Sequence, residues 1–278
     1  MTATKATNQT GLDGRWRLNR TVGFTLVELL VVLAIVALLL SILLPSFAAA
    51  RGQAKSAACS SNVRQLVLAN TMYGNEHADR FCPGAAQFIG NAKHPGNLHR
   101  WHGTRDKPGE PFDARRGPLV RYLGRDARIR ACPAFTNVAR GFEYGAGGFG
   151  YNNAFIGVAL KRTMPNGYAM ESDVVGALSS RVRTPADTLM FADSAFVTNR
   201  LIEYSFAEPR YHATMGFRAD PSTHFRHGGH ANVGWCDGHV DQRSLTFTWS
   251  SGLYPDHPGR HAIGWFGATD DNRLFDLD

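Results

Sequence analysis

The sequence predicts an α+β protein, a long N-terminal helix packed on a small antiparallel β-sheet domain with long loops. Three observations lead there. Residues 24–44 form an apolar run interrupted by one glutamate, residues 46–76 keep helical spacing, and after Gly74 the chain breaks into short runs punctuated by glycine and proline. The organisation read from this is a leader over 1–23, a transmembrane helix over 24–45, its outward continuation over 46–76, and a β-rich globular domain over 77–278.

The apolar run FTLVELLVVLAIVALLLSILL, Phe24 to Leu44, reaches about 30 Å as a helix, one hydrocarbon core. Lys5, Arg15, Arg17 and Arg20 precede it, and no basic residue follows until Arg51, so the positive-inside bias puts the leader in the cytoplasm. Glu28 lies inside the run, where a carboxylate costs about 2.5–3.5 kcal/mol and calls for a partner. A cut after Gly23 would free an ammonium on Phe24, and the amine of a neighbouring subunit could answer Glu28. Two other readings compete with such processing. One is an ordinary secretory signal cut at Ala48-Ala49-Ala50, with Arg51 as the new N-terminus; the other is an unprocessed signal anchor.

From Pro45 to about Asn75 the helical pattern continues, with a bend expected at the proline. Cys59, Val63, Leu66 and Tyr73 share one face, while Arg51, Lys55, Ser56 and Arg64 lie off it. That apolar stripe is the face expected to pack on the globular domain.

The whole chain, 44% hydrophobic and 19% charged with 29 glycines and 13 prolines, has the composition of a folded, turn-rich protein. The leader holds +3 of the formal +7, leaving +4 for residues 24–278, too weak and scattered a charge to suggest nucleic acid as a partner. Four cysteines, Cys59, Cys82, Cys132 and Cys236, show no CxxC spacing; outside the cytoplasm they allow one or two disulfides, in three pairings. Residues 80–130 read mostly as loops, with a short helix near Leu119 to Leu123.

Strands are expected over 188–192, 231–236 and 239–247. Asp237-Gly238 between the last two predicts a hairpin on a type I′ turn, with Val233 and Trp235 on its buried face. Gly145 to Gly150 fits GxGxxG, but no strand precedes it and no helix follows, so it reads as a loop. The aromatics Trp101, Phe112, Tyr122, Phe149, Tyr151, Trp249, Tyr254 and Trp265 are core or loop anchors, or else the lining of a groove.

Gly23-Phe24-Thr25-Leu26-Val27-Glu28 before the apolar run resembles the type IV prepilin and pseudopilin signature. The resemblance implies a pilin-like fold, cleavage after Gly23 and N-methylation of Phe24 by a prepilin peptidase. It also implies a single pass through the inner membrane and assembly with other pilin-like subunits into a type II secretion or type IV pilus-like filament. His227 to Val240, with Asp237 and Gly238, is similar to the H-x9-DG segment closing a large group of prepilin-like proteins abundant in planctomycetes. Ala50-Arg51, the run from Cys59 to Leu66, Tyr73, Cys132-Pro133, Tyr151-Asn152 and the run from Pro185 to Asp193 resemble further landmarks of that group. On this resemblance Cys59 and Cys132 are the candidate disulfide, whereas Cys82 and Cys236 depart from the group's pattern.

His224, His227 and His230 recur every third residue, but Gly228 and Gly229 argue against a helix that would align them. The structural expectation is that His227 hydrogen-bonds across the hairpin to Asp237 and locks the turn. The chemical alternative is a divalent ion, calcium by preference, on Asp193, His227 and Asp237. No cofactor is otherwise expected, and no catalytic signature stands out. Two functions follow: a filament subunit needing no chemistry, or a membrane-anchored binding module that recognises envelope polysaccharide or protein through the loops of residues 80–180.

Overall fold

A computed structural model describes residues 24–89, 95–123, 131–136, 138–164 and 167–278. One helix, α1, runs from Leu26 to Glu76 with Pro45 inside it. The chain divides into two compact units, one ending at Ala48 and the other spanning Ala49 to Asp278. The globular unit therefore begins within α1, because the helix beyond Ala49 contributes a wall of its core.

In the first unit the side chains from Phe24 onward are exposed, among them Leu26, Val27, Leu30, Val31, Leu33 and Ile35. This stretch of α1 is long and apolar enough to cross a membrane.

In the second unit, Cys59, Val63, Leu66, Val67, Ala69, Asn70 and Gly74 are the buried residues of α1. The expected stripe is present, with Tyr73 at its margin, partly buried and stacked on His77. The strands are short. In chain order they are β1 (His99–Arg100), β2 (Gly103–Thr104), β3 (Phe149–Tyr151), β4 (Ala159–Met164), β5 (Gly167–Ser172) and β6 (Leu189–Asp193). After them come β7 (Phe196–Val197), β8 (Leu201–Ile202), β9 (Thr223–His224), β10 (His230–Trp235), β11 (Val240–Ser244) and β12 (Ile263–Gly264). Val120–Tyr122 forms a single 3-10 turn where a short helix is expected.

The central sheet has the order β11-β10-β6-β3, antiparallel throughout. Its inner strands β6 and β10 are covered on both faces, which is why they read as LMFAD and HANVGW rather than as clean alternations. The hairpin is present, but burial is not confined to Val233 and Trp235, since every residue from Ala231 to Trp235 is buried. Gly234 permits this double covering: a Cβ there would lie 2.6 Å from Val67 Cγ2 and 2.7 Å from Val63 Cγ1. At the edge of the sheet, β11 leaves Gln242 and Ser244 exposed, while Asp241 and Arg243 are half-buried against Trp235.

The turn differs from expectation. Gly238 N donates to Trp235 O at 3.1 Å and Trp235 N to His239 O at 3.0 Å. Gly238 alone adopts positive φ, +99°, while Asp237 does not. This is a three-residue loop ending in a left-handed glycine, not a type I′ turn. Trp101, Trp265, Phe149 and Tyr151 are fully buried, so the core reading holds for these aromatics and they line no groove.

Candidate functional site

The first candidate lies at the start of α1. Thr25 precedes the first helical residue, and Glu28 stands three positions on. Glu28 Oε2 accepts hydrogen bonds from Thr25 N and Thr25 Oγ1, both at 2.8 Å, and Glu28 N donates to Thr25 Oγ1 at 3.2 Å. This reciprocal arrangement is a capping box. Within one chain the glutamate thus has a local partner, which the T-x-x-E spacing could have revealed. Phe24 immediately precedes the cap, whereas Gly23 and the rest of the leader lie outside the described residues.

The second candidate is a buried polar cluster in the globular unit, where β6 ends beside the entrance to β10. Asp193 is fully buried. Its Oδ2 accepts from Asn232 N at 2.7 Å and Asn232 Nδ2 at 3.0 Å, and lies 3.2 Å from His227 Nε2. Arg226 Nη2 approaches Oδ1 to 3.3 Å, off the hydrogen-bonding line, so among the described residues Oδ1 accepts no hydrogen bond. The Arg226 guanidinium lies over the Phe135 ring and donates to the carbonyls of Gly148 and Ser194. Cys59 and Cys132 are joined by a disulfide with Cα atoms 5.0 Å apart, and Cys132 Sγ lies 3.6 Å from His227 Nε2.

Two expectations fail here. His227 pairs with Asp193, not with Asp237, because residue 227 precedes β10 and reaches the far end of β6. Asp237 sits in the hairpin loop, where its Oδ1 accepts from His239 N at 3.0 Å and contacts His239 Nδ1 at 2.6 Å. It therefore does not join Asp193 and His227 in a ligand set, and the neighbours of that pair are sulfurs, a poor match to calcium. Nor do the three histidines converge: His224 is buried against Phe135, while His230 Nδ1 contacts its own loop at Gly228 O.

The spacing of the C-terminal segment has a geometric origin. Cys236 N donates to Thr188 O at 3.0 Å and Asp237 N to Pro185 O at 3.1 Å. At one end His227 meets Asp193; at the other the Asp-Gly turn docks on Pro185 and Thr188. The intervals 227–237 and 185–193 are antiparallel neighbours of matched reach.

Sequence reasoning missed Arg226, Asn232 and two further clusters. Glu203 Oε2 accepts from Gly145 N at 2.6 Å and Gly147 N at 3.1 Å, so the glycine-rich loop cradles the chain's own carboxylate. Arg100 and Glu143 form a buried pair at 2.5 Å. Ser205 Oγ donates to Glu143 Oε2 at 2.5 Å and contacts His102 Nε2 at 2.7 Å. The serine sits between the histidine and the acid, the wrong order for activating a nucleophile.

Residues 23–44 match the family model of the prokaryotic N-terminal methylation motif. This N-terminal segment is of the type IV prepilin kind. Nothing among curated proteins or solved structures matches the chain. The prepilin-type motif and the apolar start of α1 together mark a membrane-anchored chain, processed by a prepilin peptidase and partnered by pilin-like subunits. The match lies wholly within the N-terminal segment, and the cluster around Asp193 lies outside it.

Proposed function

We propose that this chain is a structural subunit of a type II secretion or type IV pilus-like filament, cut after Gly23 and methylated on Phe24. It is held in the inner membrane by the first half of α1, with its leader in the cytoplasm and its globular unit outside. The observation that carries the reading is the methylation motif over 23–44, running into a capped helix that continues to Glu76. The globular unit supplies subunit contacts or a display surface, and no catalysis is required of it. Mass spectrometry of the mature N-terminus tests the proposal. A methylated phenylalanine at position 24 is the expected result; a chain starting at Arg51 would overturn it.

One observation favours a second reading, an anchored binding module. Phe88, Ile89, Met170 and Met215 are exposed around an open cavity of about 330 Å³. Glu208 also lines that cavity, and burial raises its pKa. Saturable capture of an envelope glycan by the intact protein would favour the module.

A further inference from the structure

We infer that, once the Cys59–Cys132 disulfide is reduced, the side chains of Cys59, Cys132, Asp193 and His227 form a binding site for one zinc-class divalent cation. The ligand atoms of all four residues already lie within 4.8 Å of one another. Two sulfurs, one imidazole nitrogen and one carboxylate oxygen make a borderline-soft, four-coordinate set suited to zinc and unsuited to calcium or magnesium. Disulfide formation consumes both sulfurs, so the site exists only in the dithiol form.

Reduction by a dithiol reductant delivers two electrons and two protons, cleaving the S–S bond to two thiols while the reductant becomes a disulfide. Binding of the cation then releases both thiol protons to solvent. Side-chain rotation has only to part the sulfurs to about 3.8 Å, the edge of a tetrahedron with zinc–sulfur bonds of about 2.3 Å.

Three further features fit a cation. Asp193 Oδ1 is buried and accepts no hydrogen bond from any described residue. Charge also balances: two thiolates and the Asp193 carboxylate against zinc and the Arg226 guanidinium leave the buried cluster without net charge, so no uncompensated ion is created. Finally, an open cavity of about 450 Å³ lined by His227, Arg226, Ser56 and Gln242 gives a way in from solvent. His227 and Asp193 thus serve two states of the cluster, a polar packing around the disulfide and two ligands beside the dithiol.

The test uses the full chain in detergent with Cys82→Ser and Cys236→Ser, reduced with a phosphine and titrated with Co²⁺ as the spectroscopic probe. One equivalent should bind with thiolate-to-cobalt charge transfer and tetrahedral ligand-field bands, and Zn²⁺ should displace it. The oxidised protein should bind none. His227→Gln should weaken binding at least about 100-fold, since even outer-shell losses cost 10–100-fold. Absence of the charge-transfer band in the reduced protein, or equal uptake by the oxidised one, would overturn the inference. If the serine background fails to fold, alkylation of the reduced wild-type chain decides. Zinc should then shield Cys59 and Cys132 selectively, and equal labelling with and without zinc counts against the site.

Discussion

At the scale of single residues, Asp193 is the most consequential side chain of the globular unit. It is fully buried, and its charge is answered by Arg226 and His227 and by two donors from Asn232. Asp193→Asn would keep the shape and remove the larger of the two carboxylate attractions on the Arg226 guanidinium, leaving that of Glu203. A loss of about 3–5 kcal/mol is expected from urea or guanidinium unfolding, in line with breaking a buried pair. A loss under about 1 kcal/mol would show that the cluster tolerates the removal of that charge. Two imidazoles set the response to acid. Burial pulls His224 well below 6.5, helped by the charges of Arg226, His227 and His261; burial with Arg100 and Arg105 does the same to His102. In both cases the folded state resists a proton that the unfolded state accepts. Their contribution is intact above the unfolded value and falls away as the pH drops below about 6.5, by up to about 1.4 kcal/mol per pH unit for each. Unfolding midpoints should therefore decline from pH 7.5 to 6. Asp276 acts in the opposite sense: burial raises it to about 6, so its contribution is lost as the pH climbs from 3.8 toward that value. A flat stability profile between pH 7.5 and 6 would contradict the account of the two histidines.

At the scale of elements, the governing contact is the outer part of α1 against β10. Gly234 lets the two backbones approach, with Val63 and Val67 filling the space a side chain would need. Gly234→Ala should cost about 1–3 kcal/mol by overpacking, read as a lowered unfolding midpoint. Val67→Ala in the same chain should recover part of that loss, and no recovery would mean that the strain arises elsewhere. The hairpin shows how local and tertiary signals divide. Asp237-Gly238 marks the turn, but whether one or both residues take positive φ depends on how many residues the register leaves in the loop. That register is set by β6, through the docking of Cys236 and Asp237 on Thr188 and Pro185.

For the whole molecule, the disulfide and the membrane segment dominate. Cys59 and Cys132 are separated by 73 residues, so their bond removes a large loop's freedom from the unfolded chain. Reduction should lower stability by about 4 kcal/mol on the chain-entropy model, and a change below about 1 kcal/mol would place the effect outside that model. Assembly is governed at the other end. On the filament reading, Glu28 exchanges its local contact with Thr25 for the amine of a neighbouring subunit. Glu28→Leu should leave insertion intact while abolishing filaments visible by electron microscopy, and normal filaments would remove the glutamate from the assembly step.

By itself the sequence determined what depends on near neighbours: the apolar span, the acidic residue within it, the stripe on α1 and the existence of the C-terminal hairpin. Each rests on residues a few positions apart and on periodicities the backbone imposes. Only the tertiary structure decided which of Asp193 and Asp237 meets His227, that Arg226 joins them, and that the Cys59–Cys132 disulfide lies beside them. These partners lie on separate elements, and the antiparallel register of β6 and β10 against α1 brings them together. The observed register sets the buried Asp193 carboxylate beside Arg226 and His227.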